Sequence, residues 1–222
     1  MRYSLRRTVM VLLFLALTIL CGESAGVSLS LLLRRGVRFF DIAGAMIPPD
    51  MSYGRIVLAP LWATVQMSLA GTGIGAVLGL VGGSFASAYL NPHAWLRVPF
   101  KAVIHLIRTI PALILALLCT FLVGLGTLAG TLALSIYTTA VMARMGYEDM
   151  ENADQKAAKA LEAAGCGRLR AFIRTILPVV LAGYLINVLY MLEANVRHAA
   201  ILGYVGAGGI GLLLNERLAW RE

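Results

Sequence analysis

Residues 56–96 read IVLAPLWATVQMSLAGTGIGAVLGLVGGSFASAYLNPHAWL, a run of 41 positions without Asp, Glu, Lys or Arg. A helix that crosses the hydrocarbon core of a bilayer needs about 20 mainly apolar residues, so this run holds one span with its flanks or more than one element. Outward from it, charge-free runs recur at 8–22, 109–143, 175–192 and 198–215. Over all 222 residues 59% are hydrophobic, only 14% are charged, and the mean hydropathy is +0.82. A soluble globular protein is excluded. What remains outside lipid is the stretch 145–174 and one of similar length near the start, both shorter than the ~40 residues at which an unaided soluble domain becomes plausible. Any soluble machinery is therefore expected on another chain.

The net charge of +8, from 19 basic and 11 acidic residues, reports topology in such a chain rather than nucleic-acid binding. Cys21, Cys119 and Cys166 are odd in number and widely spaced, which suggests neither a disulfide framework nor a zinc site. They read as small buried apolar residues. Arg2, Arg6 and Arg7 precede the apolar run from Thr8 to Cys21, and Ser24-Ala25-Gly26 follows it. This is the layout of a cleaved signal peptide or of a retained first span, and the membrane character of every later segment favours the span. Leu29, Leu32, Leu33, Gly36, Val37 and Phe40 then recur at helical spacing, with Ser30, Arg34, Arg38 and Asp41 on the other face. That pattern predicts an amphipathic helix lying on the bilayer surface, stopped by Pro48-Pro49-Asp50. The expected organisation is a first region, 1–55, ahead of a membrane core, 56–222.

Within the core, the second span lies inside Leu58 to Tyr89 and carries Gly71, Gly73, Gly75, Gly79, Gly82 and Gly83 with Ser68, Ser84 and Ser87. In lipid, small residues that let backbones approach closely mark the packing face of a helix. Asn91-Pro92-His93 closes this span, and a third runs from about Phe100 to Val123 with a kink expected at Pro111. Gly124-Leu125-Gly126 supplies a hairpin, and a fourth span is expected to end near Arg144. Two last spans, about Ile176 to Ala194 and His198 to Leu214, complete an all-α, polytopic membrane protein of about six transmembrane helices. Basic residues at Arg2, Arg6, Arg7, Arg97, Lys101 and Arg144 place both ends and the charged loop inside; Arg34, Arg35 and Arg38 count against that orientation. Trp62 and Trp220 read as interface-belt residues, and His105 as a snorkelling anchor.

The charged loop, 145–176, contains Lys156-Ala157-Ala158-Lys159-Ala160-Leu161-Glu162-Ala163-Ala164-Gly165, an alanine-rich helix ended by a glycine suited to a left-handed cap. A second short helix, Arg168 to Ile176, is expected next, and Leu177-Pro178 opens the fifth span with proline in its first turn. Helix, glycine corner, helix, proline describes a rigid elbow; a merely solvated loop needs neither the glycine nor the proline. Glu193, Asn195 and Arg197 are polar groups at a span boundary, where ionisable residues are costly unless they pair or face water. A Glu193–Arg197 ion pair one helical turn apart is one reading. Arg197 turned to an anionic ligand is the other, because its planar five-donor fork suits an oxyanion. Gly206, Gly208, Gly209 and Gly211 either pack helices closely or let the last span bend and line a passage; no strand precedes them, so a dinucleotide fingerprint does not apply.

The small-residue helix, Gly165 and Leu177-Pro178 together resemble the E-A-A loop of ABC importer permeases, the MetI-like family. Arg108-Thr109-Ile110-Pro111, Gly124-Leu125-Gly126 with Ala129-Gly130, Pro48-Pro49-Asp50, and Glu193 to Arg197 leading into Ile201 to Gly211 narrow the resemblance to the phosphonate class, over roughly 48–214. It implies a type I importer permease fold in the bacterial plasma (inner) membrane. It also implies a loop, Lys159, Ala160, Leu161, Glu162, Ala163, Ala164 and Gly165, that docks on a cytoplasmic ATPase. Lys159 stands at the family's glutamate position. His198 stands where a small residue is usual, and Tyr137 where histidine is expected. The partners implied are two copies of an ATP-binding subunit, a second permease copy and an extracytoplasmic substrate-binding protein, with no cofactor, metal or catalytic residue on this chain.

No Gly-Lys dipeptide occurs in the sequence, so there is no phosphate-binding loop, and ATP is expected to bind the partner. A secondary transporter or channel is the alternative in the same membrane class, but it calls for paired repeats or an intramembrane acidic relay, and neither is visible. A membrane enzyme needs a catalytic constellation, and no Ser-His-Asp set, H-E-x-x-H or G-x-S-x-G is present.

Overall fold

The computed structural model describes residues 2–26, 29–47 and 51–219. Pro48, Pro49, Asp50, Trp220 and Arg221 lie outside the described residues. Contacts divide the chain into two units, Met1–Ser52 and Tyr53–Glu222.

The first unit holds α1 (Arg2–Ser24) and α2 (Leu29–Ala45). Arg6–Ser24 is long and apolar enough to cross a membrane, and its large apolar side chains from Val9 to Leu20 are exposed, as a surface solvated by lipid requires. Along α2, Leu33, Val37 and Phe40 share one face while Arg34, Arg38 and Asp41 take the other, the amphipathic pattern read from the sequence.

The second unit is built on α3 (Gly54–Ala86) packed along α6 (Thr127–Asn152). Four glycines, one per helical turn, bring the two backbones together. A Cβ placed on Gly71, Gly75 or Gly79 would lie 2.7, 2.5 and 2.7 Å from Leu134 Cβ, Thr138 Cβ and Met142 Cβ, and one on Gly83 would lie 2.8 Å from the Ala143 carbonyl oxygen. No side chain fits there, so the glycine stripe sets the closeness of the pair. The stripe is narrower than the sequence suggested: Gly73 faces open space and Gly82 meets only ordinary contacts. The core continues around Met67, Leu115, Ala116, Ala133, Leu134 and Leu202. Cys119 is buried there, as expected of a small apolar residue, whereas Cys21 is exposed and Cys166 half-buried.

Three boundaries differ from the sequence reading. α6 continues past Arg144 to Asn152, because Gly146, Tyr147 and Met150 keep an inward face that prolongs the buried stripe through the charged segment. The short helix at Arg168 and the fifth span are one helix, α8 (Arg168–Leu202), with Pro178 in its interior rather than in its first turn. The sixth span does not form as drawn. The chain leaves α8 at Leu202, makes a single 3-10 turn, Gly203–Val205, and resumes as the short α9 (Ile210–Ala219). Gly206, Gly208 and Gly209 have φ of +82°, +79° and +75°, a left-handed backbone that interrupts a right-handed helix. Between α3 and α6, α4 (Ala94–Thr109) and α5 (Ala112–Val123) meet at 95°, a break rather than a kink at Pro111. Proline disfavours the α conformation in the residue before it, and Ile110 is extended at φ −83°, ψ 121°. Among the described residues four helices are long and apolar enough to span a membrane, or five if α4 and α5 make one broken span, against about six expected.

Candidate coupling loop and transport path

The elbow forms as a Schellman cap. α7 (Lys156–Ala163) ends before Gly165, whose φ is +89°; the Gly165 N–H donates to the Glu162 carbonyl at 2.9 Å and the Cys166 N–H to the Leu161 carbonyl at 2.9 Å. At the other end the Lys156 N–H donates to Asp154 Oδ1 at 3.0 Å. Ala158 is fully buried and seats α7 on a cluster of Tyr89, Met150, Phe172, Ile176 and Val180. Lys159, Ala160, Ala163 and Ala164 are exposed, while Leu161 is half-buried. Glu162 is half-buried too: its carboxylate accepts a hydrogen bond from the Tyr89 hydroxyl. Burial and this carboxylate push the Tyr89 hydroxyl up to about 12, so it stays a donor at physiological pH. Phe172 stacks on the Tyr89 ring at 6.1 Å and Arg168 lies over it at 5.1 Å. Tyr89 is the residue holding the candidate loop that sequence reading missed; it sits in the turn after α3, and no local pattern ties it to a residue 73 positions on.

A second network ties the same end of the bundle. Lys101 Nζ pairs with Glu151 Oε1 at 2.9 Å, which also accepts the Ala88 N–H at 2.8 Å. Lys101 lies 4.0 Å over the Tyr147 ring, and the Tyr147 hydroxyl is 3.0 Å from His105 Nε2. His105 thus has a specific partner, beyond the anchoring role read from the sequence.

Along α8, Glu193 and Arg197 form an ion pair of 3.3 Å, both side chains about two-thirds exposed. Asn195 lies on another face and is fully enclosed. Its Nδ2 donates to Thr72 Oγ1 and Thr138 Oγ1, each at 2.8 Å, and the Ser68 hydroxyl donates to its backbone carbonyl at 3.2 Å. It pins α3, α6 and α8 together rather than facing a passage. The glycine segment also has a packing role: a Cβ on Gly211 would sit 2.0 Å from the Ala200 carbonyl oxygen, and one on Gly203 2.4 Å from the Leu212 amide nitrogen. Gly206 accepts the Gly126 N–H at 2.9 Å, and the Ile210 N–H donates to Thr64 Oγ1 at 2.9 Å. At the α4–α5 break a cavity of about 410 Å3 is lined by Arg108, Pro111, Tyr137, His198 and Leu202 among others. The His198 and Tyr137 rings pack at nearly right angles, with centroids 5.5 Å apart. Among the described residues no group of three or more His, Cys, Asp or Glu side chains is placed to hold a metal ion.

Residues 71–221 match the family described as binding-protein-dependent transport system inner membrane component. The chain is 33% identical over 173 residues to the phosphite transport system permease protein PtxC of Stutzerimonas stutzeri, covering 78% of this chain and 63% of that one. It is 33% identical over 174 residues to the phosphate-import permease protein PhnE of Mycolicibacterium smegmatis, covering 78% of this chain and 33% of that one. The chain therefore spans about two-thirds or less of the length of these relatives. Among solved structures, the MetNI methionine ABC transporter in an inward-facing conformation superposes with a TM-score of 0.67 at 24% identity, covering 74% of this chain and 81% of that one, which shows a shared fold. With the match running through the glycine stripe, the broken span and the capped elbow, the chain belongs to the binding-protein-dependent transport system inner membrane components.

Proposed function

We propose that this chain is the permease subunit of an ABC importer for phosphorus oxyanions, of the phosphonate, phosphite and phosphate kind, and that it carries out no chemistry itself. The observation that carries the coupling half of this reading is the capped α7, held at one end of the bundle by the Schellman bonds at Gly165 and by Tyr89. A short, rigid helix with an exposed outer face is what a groove on a separate ATPase needs. The substrate class rests on relatives whose names state phosphite and phosphate transport. In the assembled transporter two copies of this chain, two ATP-binding subunits and an extracytoplasmic binding protein act together in the bacterial inner membrane, and ATP binds the partner. The passage runs between the two copies, along the exposed face of α8 that bears Glu193 and Arg197, with the glycine turn from Gly206 to Gly211 at its end.

The test is capture and coupling. The ATP-binding subunit is expected to co-purify with this chain, and the reconstituted complex to take up radiolabelled phosphate with ATPase activity stimulated by the loaded binding protein. Replacing Gly165 with valine puts a β-branched residue at a left-handed position, so Gly165→Val should leave the chain in the membrane but lower stimulated ATPase activity and uptake at least tenfold. Wild-type coupling in that variant rejects the elbow.

A further inference from the structure

The cavity at the α4–α5 break is electrically incomplete. Arg108 lines it, and among the described residues no carboxylate is within ion-pairing distance of its guanidinium. His198 lines it too, and its Nδ1 is enclosed with no hydrogen-bond partner. The start of α5 forms a third wall: Pro111 offers no side-chain cap. The first amides, of Ala112 and Leu113, therefore have no preceding helical carbonyl, and the positive end of the helix dipole stands there. An unpaired cation and an orphaned buried ring nitrogen are both costly in a membrane. An anion in the cavity compensates the Arg108 charge and the free amides of α5, with the His198 ring on the same wall.

The depth is right for a transit site. Tyr137, on the cavity wall, is ten residues from the start of α6 and fifteen from its end. At 1.5 Å per residue that is about 15 Å and about 22 Å along the helix, near the middle of a hydrocarbon core about 30 Å thick. Transporters repeatedly bind anionic groups at midplane helix breaks, where a half-helix N-terminus points at the charge. The volume of about 410 Å3 also falls in the range of about 300–1,000 Å3 typical of small-ligand sites.

We propose that this cavity is an oxyanion site inside the permease, in which Arg108, His198 and the amino end of α5 bind a tetrahedral phosphorus oxyanion on its way across the membrane. The proposal rests on the reading of the chain as an importer of phosphorus oxyanions. Arg108 supplies the charge, His198 and Tyr137 the directional hydrogen bonds, and Pro111 keeps the span open at that level. The phosphate of a lipid headgroup has the same chemistry as the free ion, so the experiment separates the two sources.

The full complex, with its ATPase and binding protein, is reconstituted in vesicles of phosphatidylcholine alone or with phosphatidylglycerol. Uptake of radiolabelled phosphate is then measured, with phosphite and methylphosphonate as competitors. Arg108→Gln and His198→Leu are each expected to lower uptake at least tenfold with the yield of assembled complex unchanged. Arg108→Lys should retain a substantial part, and Arg34→Gln, which removes a charge on α2 far along the chain, should match wild type. A structural role alone would reduce complex yield and would not grade with charge. Wild-type uptake by both Arg108→Gln and His198→Leu overturns the cavity site and leaves the importer reading standing. Absence of uptake of, or competition by, all three oxyanions with the wild-type complex overturns both. Phosphatidylglycerol that blocks wild-type uptake, with no such block in Arg108→Gln, assigns the cavity to a lipid headgroup and overturns the transit role.

Discussion

Lys159 occupies the position at which related loops carry glutamate, and its ammonium is exposed on α7, while Glu162, three residues on, is engaged by Tyr89. The outer face of the helix therefore presents a positive charge, and the acidic residue serves the inside of the loop. Hydrogen bonds to charged groups contribute about 1.5–3 kcal/mol when well formed, and partial exposure of Glu162 lowers that. Tyr89→Phe keeps the stack on Phe172 but removes the donor. It is expected to loosen α7 by about 1 kcal/mol, seen as roughly five-fold faster hydrogen exchange of the Lys159 to Ala163 amides with α8 unchanged. The pH dependence has a definite sign. Because the folded hydroxyl titrates at about 12, above its ordinary value, its contribution is present below about 10 and fades as pH rises through 12. Unaltered exchange in Tyr89→Phe would falsify the hold of Tyr89 on α7.

At the scale of elements, the α3–α6 pair shows how a glycine pattern becomes geometry. Overpacking a close contact costs about 1–3 kcal/mol, and Gly75 faces Thr138 with no room for a Cβ. Gly75→Val is expected to push the helices apart, lower the thermal midpoint and cut the yield extracted in detergent. Gly73→Ala, on the same helix but facing open space, should be neutral or stabilising by about 0.5–1 kcal/mol, since alanine is the better helix former. Equal behaviour of the two variants would reject the stripe. Asn195 belongs to the same interface: between Thr72 and Thr138 it adds directional hydrogen bonds to a contact otherwise made by small residues, in a medium where helices have no hydrophobic force to pair them.

For the whole molecule, the capped elbow and the glycine turns mark opposite ends of the bundle. Ala158 docks beside Tyr89 and Phe172 at one end of α3 and α8, whereas Gly126, Gly206 and Thr64 meet at the other. With the basic residues Arg97, Lys101 and Arg144 gathered at the elbow end, the positive-inside bias predicts a cytoplasmic α7. A single cysteine placed at Lys159, in a chain freed of its own three cysteines, should react with a membrane-impermeant maleimide only in inverted vesicles. One placed at Leu125, which is 80% exposed, should react only in right-side-out cells. The reverse pattern inverts the topology and removes α7 from reach of an ATPase.

Part of the local backbone chemistry was legible in the sequence. Charge-free runs marked most of the spans though not the sixth, Gly165 the left-handed corner, Pro111 an interruption, and the glycines of residues 71–83 a close helix contact, because each depends on residue type and near neighbours. The tertiary structure alone decided how hard the α4–α5 span bends, that α8 runs unbroken past Pro178, and that Gly206 to Gly209 form a turn. It alone also enclosed Asn195 among threonines up to 123 residues away, joined Tyr89 to Glu162, and left Arg108 and His198 around one cavity. Those outcomes depend on which faces of distant helices meet, and sequence periodicity specifies a face without naming its partner.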